Sequence, residues 1–356
     1  MWSDTEEDRS TRQRTRGRLH RSDLRPTPRA GTAWGAIYAA GNDHAFILTT
    51  GLDVRTFHEL LSIFETRWDQ FTIPRADVQA HGRSRLARRS LTSTGALALV
   101  LHFLNSTMPE HSLQLIFAIT PTVCSRYLRA GLAALRSALW AASDAEIEWP
   151  ATKRRFKEYA SMINLRHPLL HRGFCFVDGL NLPVAEALDP DVQNAYYNGW
   201  TCNHYSSCVF AFAPDGRIIY ACVNAPGSWH DATIAQDLYD KLHDETPPGY
   251  YAIADTAFPR NQQRMQGRIR VPLRPSDALP RLLDAQGRVR ELQEVQEFNN
   301  QLVSARQAAE WGMQAFQGSF ARLKLPLPAE DHAYRLMVLE ICSRLHQIRT
   351  TRVGIN

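Results

Sequence analysis

From Gly173 onward the hydrophobic pattern of this chain stops being helical. Upstream, apolar residues recur at steps of three and four. Downstream they gather in short runs rich in aromatic and β-branched residues, at 174–178, 208–213, 218–223, 250–255 and 269–273. The first and fourth runs each end on an aspartate, Asp178 and Asp255. Pro214-Asp215-Gly216 joins the second run to the third and is a hairpin signal. Helical patterns return after Asp231 to about residue 242, over 295–320 and over 331–349. Strands interrupted and followed by helices predict an α/β unit, a mixed sheet flanked by helices.

The region before Gly173 reads differently. Residues 1–30 carry eight arginines and five acids with almost no large apolar side chains, and the composition predicts a flexible basic arm over 1–45. A helical region is expected over 46–172 and the sheet domain over 173–356. Val54, Phe57, Leu60, Leu61, Phe64 and Trp68 make one amphipathic helix. Thr92 or Ser93 caps a strongly apolar second one. A short helix over 112–118 is followed by Thr120-Pro121, a cap and a first helical position, and a helix to about residue 139. Short helix, tight turn and long helix outline a helix-turn-helix, with Ser125, Arg126 and Arg129 where DNA would be reached. An ordinary three-helix packing unit fits the same periodicity. A further helix opens at Lys153.

The net charge of +5 hides an asymmetry. Residues 1–172 hold 24 Lys and Arg against 16 Asp and Glu, whereas residues 173–356 hold 17 against 20. A basic first half suits a polyanion, and a faintly acidic second half suits a cation. No run approaches the 18 or so apolar residues of a membrane span, and the N-terminus has no apolar secretory core. The six cysteines are too scattered for a disulfide framework or zinc knuckle and are expected as free thiols.

Asp178 and Asp255 are expected just past the ends of sheet strands, where α/β folds place ligands. Asp231 opens a helix, and Glu310 lies on the helix over 295–320. Each has a plain counterpart: an Asp-Gly turn, a helix-start acid, a surface Arg306–Glu310 pair. Drawn toward one point, such carboxylates need a cation, and oxygen-only ligands suit Mg²⁺ or Mn²⁺. Two ions about 4 Å apart would serve phosphodiester chemistry.

The local strings resemble the PIF/Harbinger-type DDE transposases and the nucleases derived from them. Phe176-Val-Asp178-Gly179 is similar to the first-aspartate motif, Pro226-Gly-Ser-Trp-His230-Asp231 to the Gly-Ser-x-His-Asp segment, and Ala254-Asp255-Thr-Ala-Phe-Pro259 to the second-aspartate motif. Phe298-Asn, Ser304-Ala-Arg306, Glu310, Gly318 and Leu323-Lys324 resemble the third block. The resemblance implies an RNase H-like catalytic fold in which Asp178, Asp255 and Glu310 are catalytic metal ligands and Asp231 a supporting ligand. It implies that His230 orients Asp231 or the substrate, that Arg306 holds Glu310 or a phosphate, and that Arg322 and Lys324 touch the DNA backbone. It further implies cutting and joining of double-stranded DNA at terminal inverted repeats, a Myb-like accessory protein, a homo-oligomer, and a place in the nucleus and cytoplasm. A DNA-binding protein of the same fold that has lost turnover, and an RNase H-like hydrolase of RNA, are the alternatives.

Overall fold

The first unit, residues 1–143, is built from helices whose starts the sequence writes out. The computed structural model describes residues 18–74, 82, 84–259, 265–274 and 292–354. Helices α1 (Ala33–Ala40), α2 (Asp43–Thr50), α3 (Val54–Gln70) and α4 (Ser93–Asn105) are each capped by the side chain before them: Thr32, Asn42, Asp53 and Thr92 accept from the backbone of the first turn. α5 (Glu110–Phe117) and α6 (Pro121–Trp140) follow, with Pro121 at the first helical position. α4 is buried over most of its length. Gly131 of α6 makes room for it, since a Cβ there would lie 2.5 Å from Val100 Cγ2.

Part of the expected basic arm is folded instead. Residues 1–17 lie outside the described residues, but Trp34 of α1 is 5% exposed and its ring sits 5.6 Å from Phe46 and 5.7 Å from Phe57. Two arginines of the arm are tied to carbonyl oxygens: Arg21 donates to Ala118, and Arg29 to Leu86 and Arg89. The apolar segment Ala33–Ala40, with Trp34 and Tyr38 packed on the same rings, anchors it. The α5–α6 turn is tight and Ala118 adopts φ 52°. Cys124, Tyr127, Leu128 and Leu132 face the interior of the unit, whereas Ser125 and Arg129 are exposed and Arg126 is half-buried.

The second unit, residues 144–356, contains the sheet. Its elements are α7 (Lys153–Arg166), β1 (Gly173–Pro183), α8 (Pro190–Tyr196), β2 (Tyr197–Asn198), β3 (Asn203–Phe212), β4 (Ile218–Pro226), α9 (Asp231–Ile234), α10 (Gln236–Asp240), β5 (Tyr251–Ala254), β6 (Ile269–Arg270), α11 (Leu292–Ser319) and α12 (His332–Ile348). The strand order is β2-β3-β1-β5-β6, with β4 also paired to β3. β1 is antiparallel to β3, while β1–β5 and β5–β6 are parallel. The result is a mixed α/β unit with a six-stranded open sheet, consistent with the RNase H-like class. Helix α7 is part of this unit, and the change of texture at Gly173 marks the start of β1.

Strand alternation sends side chains to two cores. Cys175, Val177, Val209 and Ala211 pack with Phe156 and Tyr159 of α7 and Leu238 of α10. On the other face Phe176, Tyr251 and Ile253 pack with Leu302, Ala305 and Ala309 of α11. Phe210 meets Phe316 of α11 at 5.1 Å between ring centroids. Asn224, at φ 67°, sits where the β3–β4 register shifts, and its amide oxygen accepts from Ser206 and from the fully buried Arg335 of α12. The bulge and the arginine fasten α12 to the sheet.

Helix α11 approaches the sheet most closely at Gly312, where a Cβ would stand 2.9 Å from the Phe212 ring. Gly318, on the same helix, would meet nothing within 4 Å. Gly312→Ala is therefore expected to cost about 1–3 kcal/mol by overpacking. Gly318→Ala should be neutral or stabilise by up to about 1 kcal/mol through helix propensity. Urea unfolding of the two variants separates these effects, and equal costs would refute the close approach.

Candidate active site

The strand that carries Asp178 does not stop there. β1 runs five residues further to Pro183, because β3 continues the ladder from Asp178↔Phe210 to Pro183↔Tyr205. The sequence predicted an end, since Asp-Gly ordinarily turns. What ends at this level is the parallel partner: the β1–β5 register closes at Val177↔Ala254, and β5 gives way to Asp255. Asp178 and Asp255 are thus the next residues along two adjacent parallel strands, at the point where the ladder between them opens.

Alternation puts Asp178 on the face of Phe176, the face that α11 covers. Gly179 therefore points to the other face, and there it meets Asp231. A Cβ on Gly179 would stand 2.3 Å from Asp231 Oδ2, so this glycine is required by close approach. Sequence inspection read Gly179 as a turn former and missed this role. A glycine in the middle of an apolar strand was the signal available. Asp231 occupies the first turn of α9, and His230, exposed, is its N-cap residue.

Burial pushes the Asp178 carboxyl up to about 6. The nearby Asp255 and Asp231 charges add to the rise, while the Gly179 amide, 2.9 Å away, and the Arg306 guanidinium oppose it. Asp231 is also raised, by burial first and then by Asp255, with His230 opposing. Asp255 Oδ1 accepts from the Ala257 amide at 2.8 Å, which fixes the turn beyond β5. Arg306 pairs with Glu310 one turn along α11, at 2.7 Å. The arginine thus acts on Asp178 and holds Glu310 at once.

These groups differ in how closely they gather. Asp178, Asp231 and Asp255 feel one another's charge, and Arg306 joins them. Among the described residues, no three His, Cys, Asp or Glu side chains stand close enough to hold one ion between them. The donor chemistry still fits a hard divalent cation: the ligands are carboxylate oxygens, and two of the three aspartates carry a charge that burial and repulsion disfavour. Arg322 is half-buried and Lys324 exposed in the turn after α11. That turn leads to Leu327, whose amide donates to Pro183 O at 2.9 Å, so the segment passes the far end of β1. Ser125, Arg126 and Arg129 belong to the first unit.

A carboxyl raised in the folded state favours folding in its protonated form. Its contribution is present below about pH 4 and lost as pH rises through about 6. In metal-free protein, Asp178→Asn should therefore stabilise by about 1–3 kcal/mol near neutral pH, with the gain fading as the pH falls toward about 4. Denaturant unfolding across that range measures it, and a gain independent of pH would contradict the burial account.

No curated protein and no solved structure matches the chain. Residues 177–347, which run from β1 into α12, match the family model described as DDE superfamily endonuclease, and the match supports a nuclease of the DDE transposase type.

Proposed function

We propose that the chain is a divalent-metal-dependent nuclease and transposase that cuts and joins phosphodiester bonds of double-stranded DNA. One observation carries the reading: Asp178 and Asp255 lie level on adjacent parallel strands, and α11, which covers that face, carries Arg306, whose charge reaches Asp178 and which is paired with Glu310. The match over 177–347 supplies the reaction class. The residue strings favour the PIF/Harbinger type, and with it terminal inverted repeats as substrate, a Myb-like accessory protein, a homo-oligomer and a nuclear place of action.

In this mechanism Asp178, Asp255 and Glu310 would hold Mg²⁺ or Mn²⁺. Two such ions would activate a water or a 3′-hydroxyl and stabilise the leaving oxygen. Asp231, packed against Gly179, backs the β1 segment that presents Asp178 and adds its charge to the group. His230 orients Asp231 or a substrate phosphate. Arg306 keeps Glu310 extended along α11 and offers a cation to a phosphate. Arg322 and Lys324 contact the backbone without reading sequence, while Ser125, Arg126 and Arg129 contact DNA from the first unit.

Cleavage of a duplex carrying inverted-repeat ends, with Mg²⁺ or Mn²⁺, tests the proposal. Asp178→Ala, Asp255→Ala and Glu310→Ala should each slow cleavage by at least about 100-fold, the scale on which loss of one electrostatic stabiliser acts. Full activity in any of the three would refute its assigned role. Cation binding, read as a rise in melting temperature, should weaken as pH falls through about 6, because protons then compete for Asp178. DNA binding with neither cleavage nor a cation-induced rise would instead identify a lapsed, DNA-binding relative.

A further inference from the structure

At the opposite end of β1 and β5 from the carboxylates, two cavities adjoin. One, of about 520 Å³, is lined by His171, Arg172, Tyr251, Arg268 and Arg270 among others. The second, of about 420 Å³, is lined by Lys153, Lys157, His171, Arg172 and Tyr250 among others. They share the lining residues His171, Arg172 and Pro248, so the pair makes one basic, two-chambered groove. Neither is lined by an aspartate or glutamate among the described residues.

The arginines of this groove are held in place without being neutralised. Arg172 donates to Pro248 O at 3.3 Å and lies over the Tyr250 ring. Gly249, at φ 86°, makes this possible, since a Cβ there would stand 2.5 Å from Arg172 Nη1. Arg268 donates to Thr246 O and Pro247 O, both at 3.0 Å. Arg270 lies over the Tyr251 ring, and its Nε is buried with no hydrogen-bond partner. Carbonyls and ring faces orient a guanidinium but leave its unit charge to act outward. Among the described residues, none of Lys153, Lys157, Arg172, Arg268 and Arg270 pairs with a carboxylate.

We infer that this groove binds the phosphate backbone of duplex DNA, as a second contact remote from the carboxylate site. Five cations strung along two joined cavities suit a row of phosphates better than a single anion. Charge without a set of base-reading amides suits contact independent of sequence. The choice of DNA as the polyanion rests on the nuclease reading, whereas the groove's charge does not.

The experiment measures binding of the full chain to a labelled duplex of about 30 base pairs, with EDTA present so that no cleavage occurs, across a salt series. Arg172→Glu, Arg270→Glu and Lys157→Glu should each weaken binding at least about fivefold and flatten the salt dependence by about 1–2 in log–log slope, near 0.9 per phosphate contact. Arg55→Glu, an equal charge change in the first unit, is the control for net charge. Arg172→Gln, with melting checked, guards against misfolding and should lower the slope by about 1. Binding and slope equal to the Arg55→Glu control would overturn the inference, and so would losses seen with an RNA duplex alone. Because the assay is metal-free, loss of cleavage by Asp178→Ala and loss of grip by Arg172→Glu fail independently.

Discussion

The register between β1 and β5 is the constraint on which the site depends. Val177 opposite Ala254 is the last parallel pair, so Asp178 and Asp255 follow it side by side. A slip of one residue would turn one aspartate to the opposite face of the sheet and bury it against α7 and α10. Apolar side chains prevent that slip. Phe176, Tyr251 and Ile253 are committed to α11, and Cys175, Val177 and Ala252 to the other core. Hydrophobic burial on two faces thus sets the position of two charges that burial itself disfavours.

That conflict has a local resolution. Asp178 and Asp231 lie on opposite faces of β1, and Asp231 sits against Gly179, where any side chain would collide with it. Arg306 supplies positive charge on the α11 side. It is also bound to Glu310, one turn along the same helix. That helix is fixed against the sheet. The fixity comes from Gly312 against Phe212 and from the Phe316–Phe210 contact.

Much of this was legible in the chain because the strands are short, apolar and punctuated. The runs around 175, 210, 220 and 252 were found by composition alone, and the helix around Glu310 by periodicity. The continuation of β1 through Gly179-Leu-Asn-Leu-Pro183 was not legible, since it carries a glycine and a proline and exists only through pairing with β3. The folded part of the N-terminal arm was hidden for a related reason: its apolar segment Ala33–Ala40 is short, and the partners of Trp34, Phe46 and Phe57, lie further along the chain. The Arg172–Arg270 groove joins cations about a hundred residues apart, none distinctive in its own neighbourhood.

The two charged regions are linked by the strands themselves. Arg172 precedes β1 directly and Asp178 is six residues along it. At a rise of about 3.3 Å per residue their backbones are separated by roughly 20 Å. Duplex DNA advances 3.4 Å per base pair, so that span corresponds to about six base pairs. On the proposed reading, a strand with a cation before its start and a carboxylate at its middle acts as a ruler, fixing how far from the gripped phosphates the reacting one lies. A loop could carry the same residues but not the same distance. The mixed sheet converts a hydrophobic register into a spacing between charges, and spacing is what a phosphodiester backbone, uniform in charge, offers for recognition.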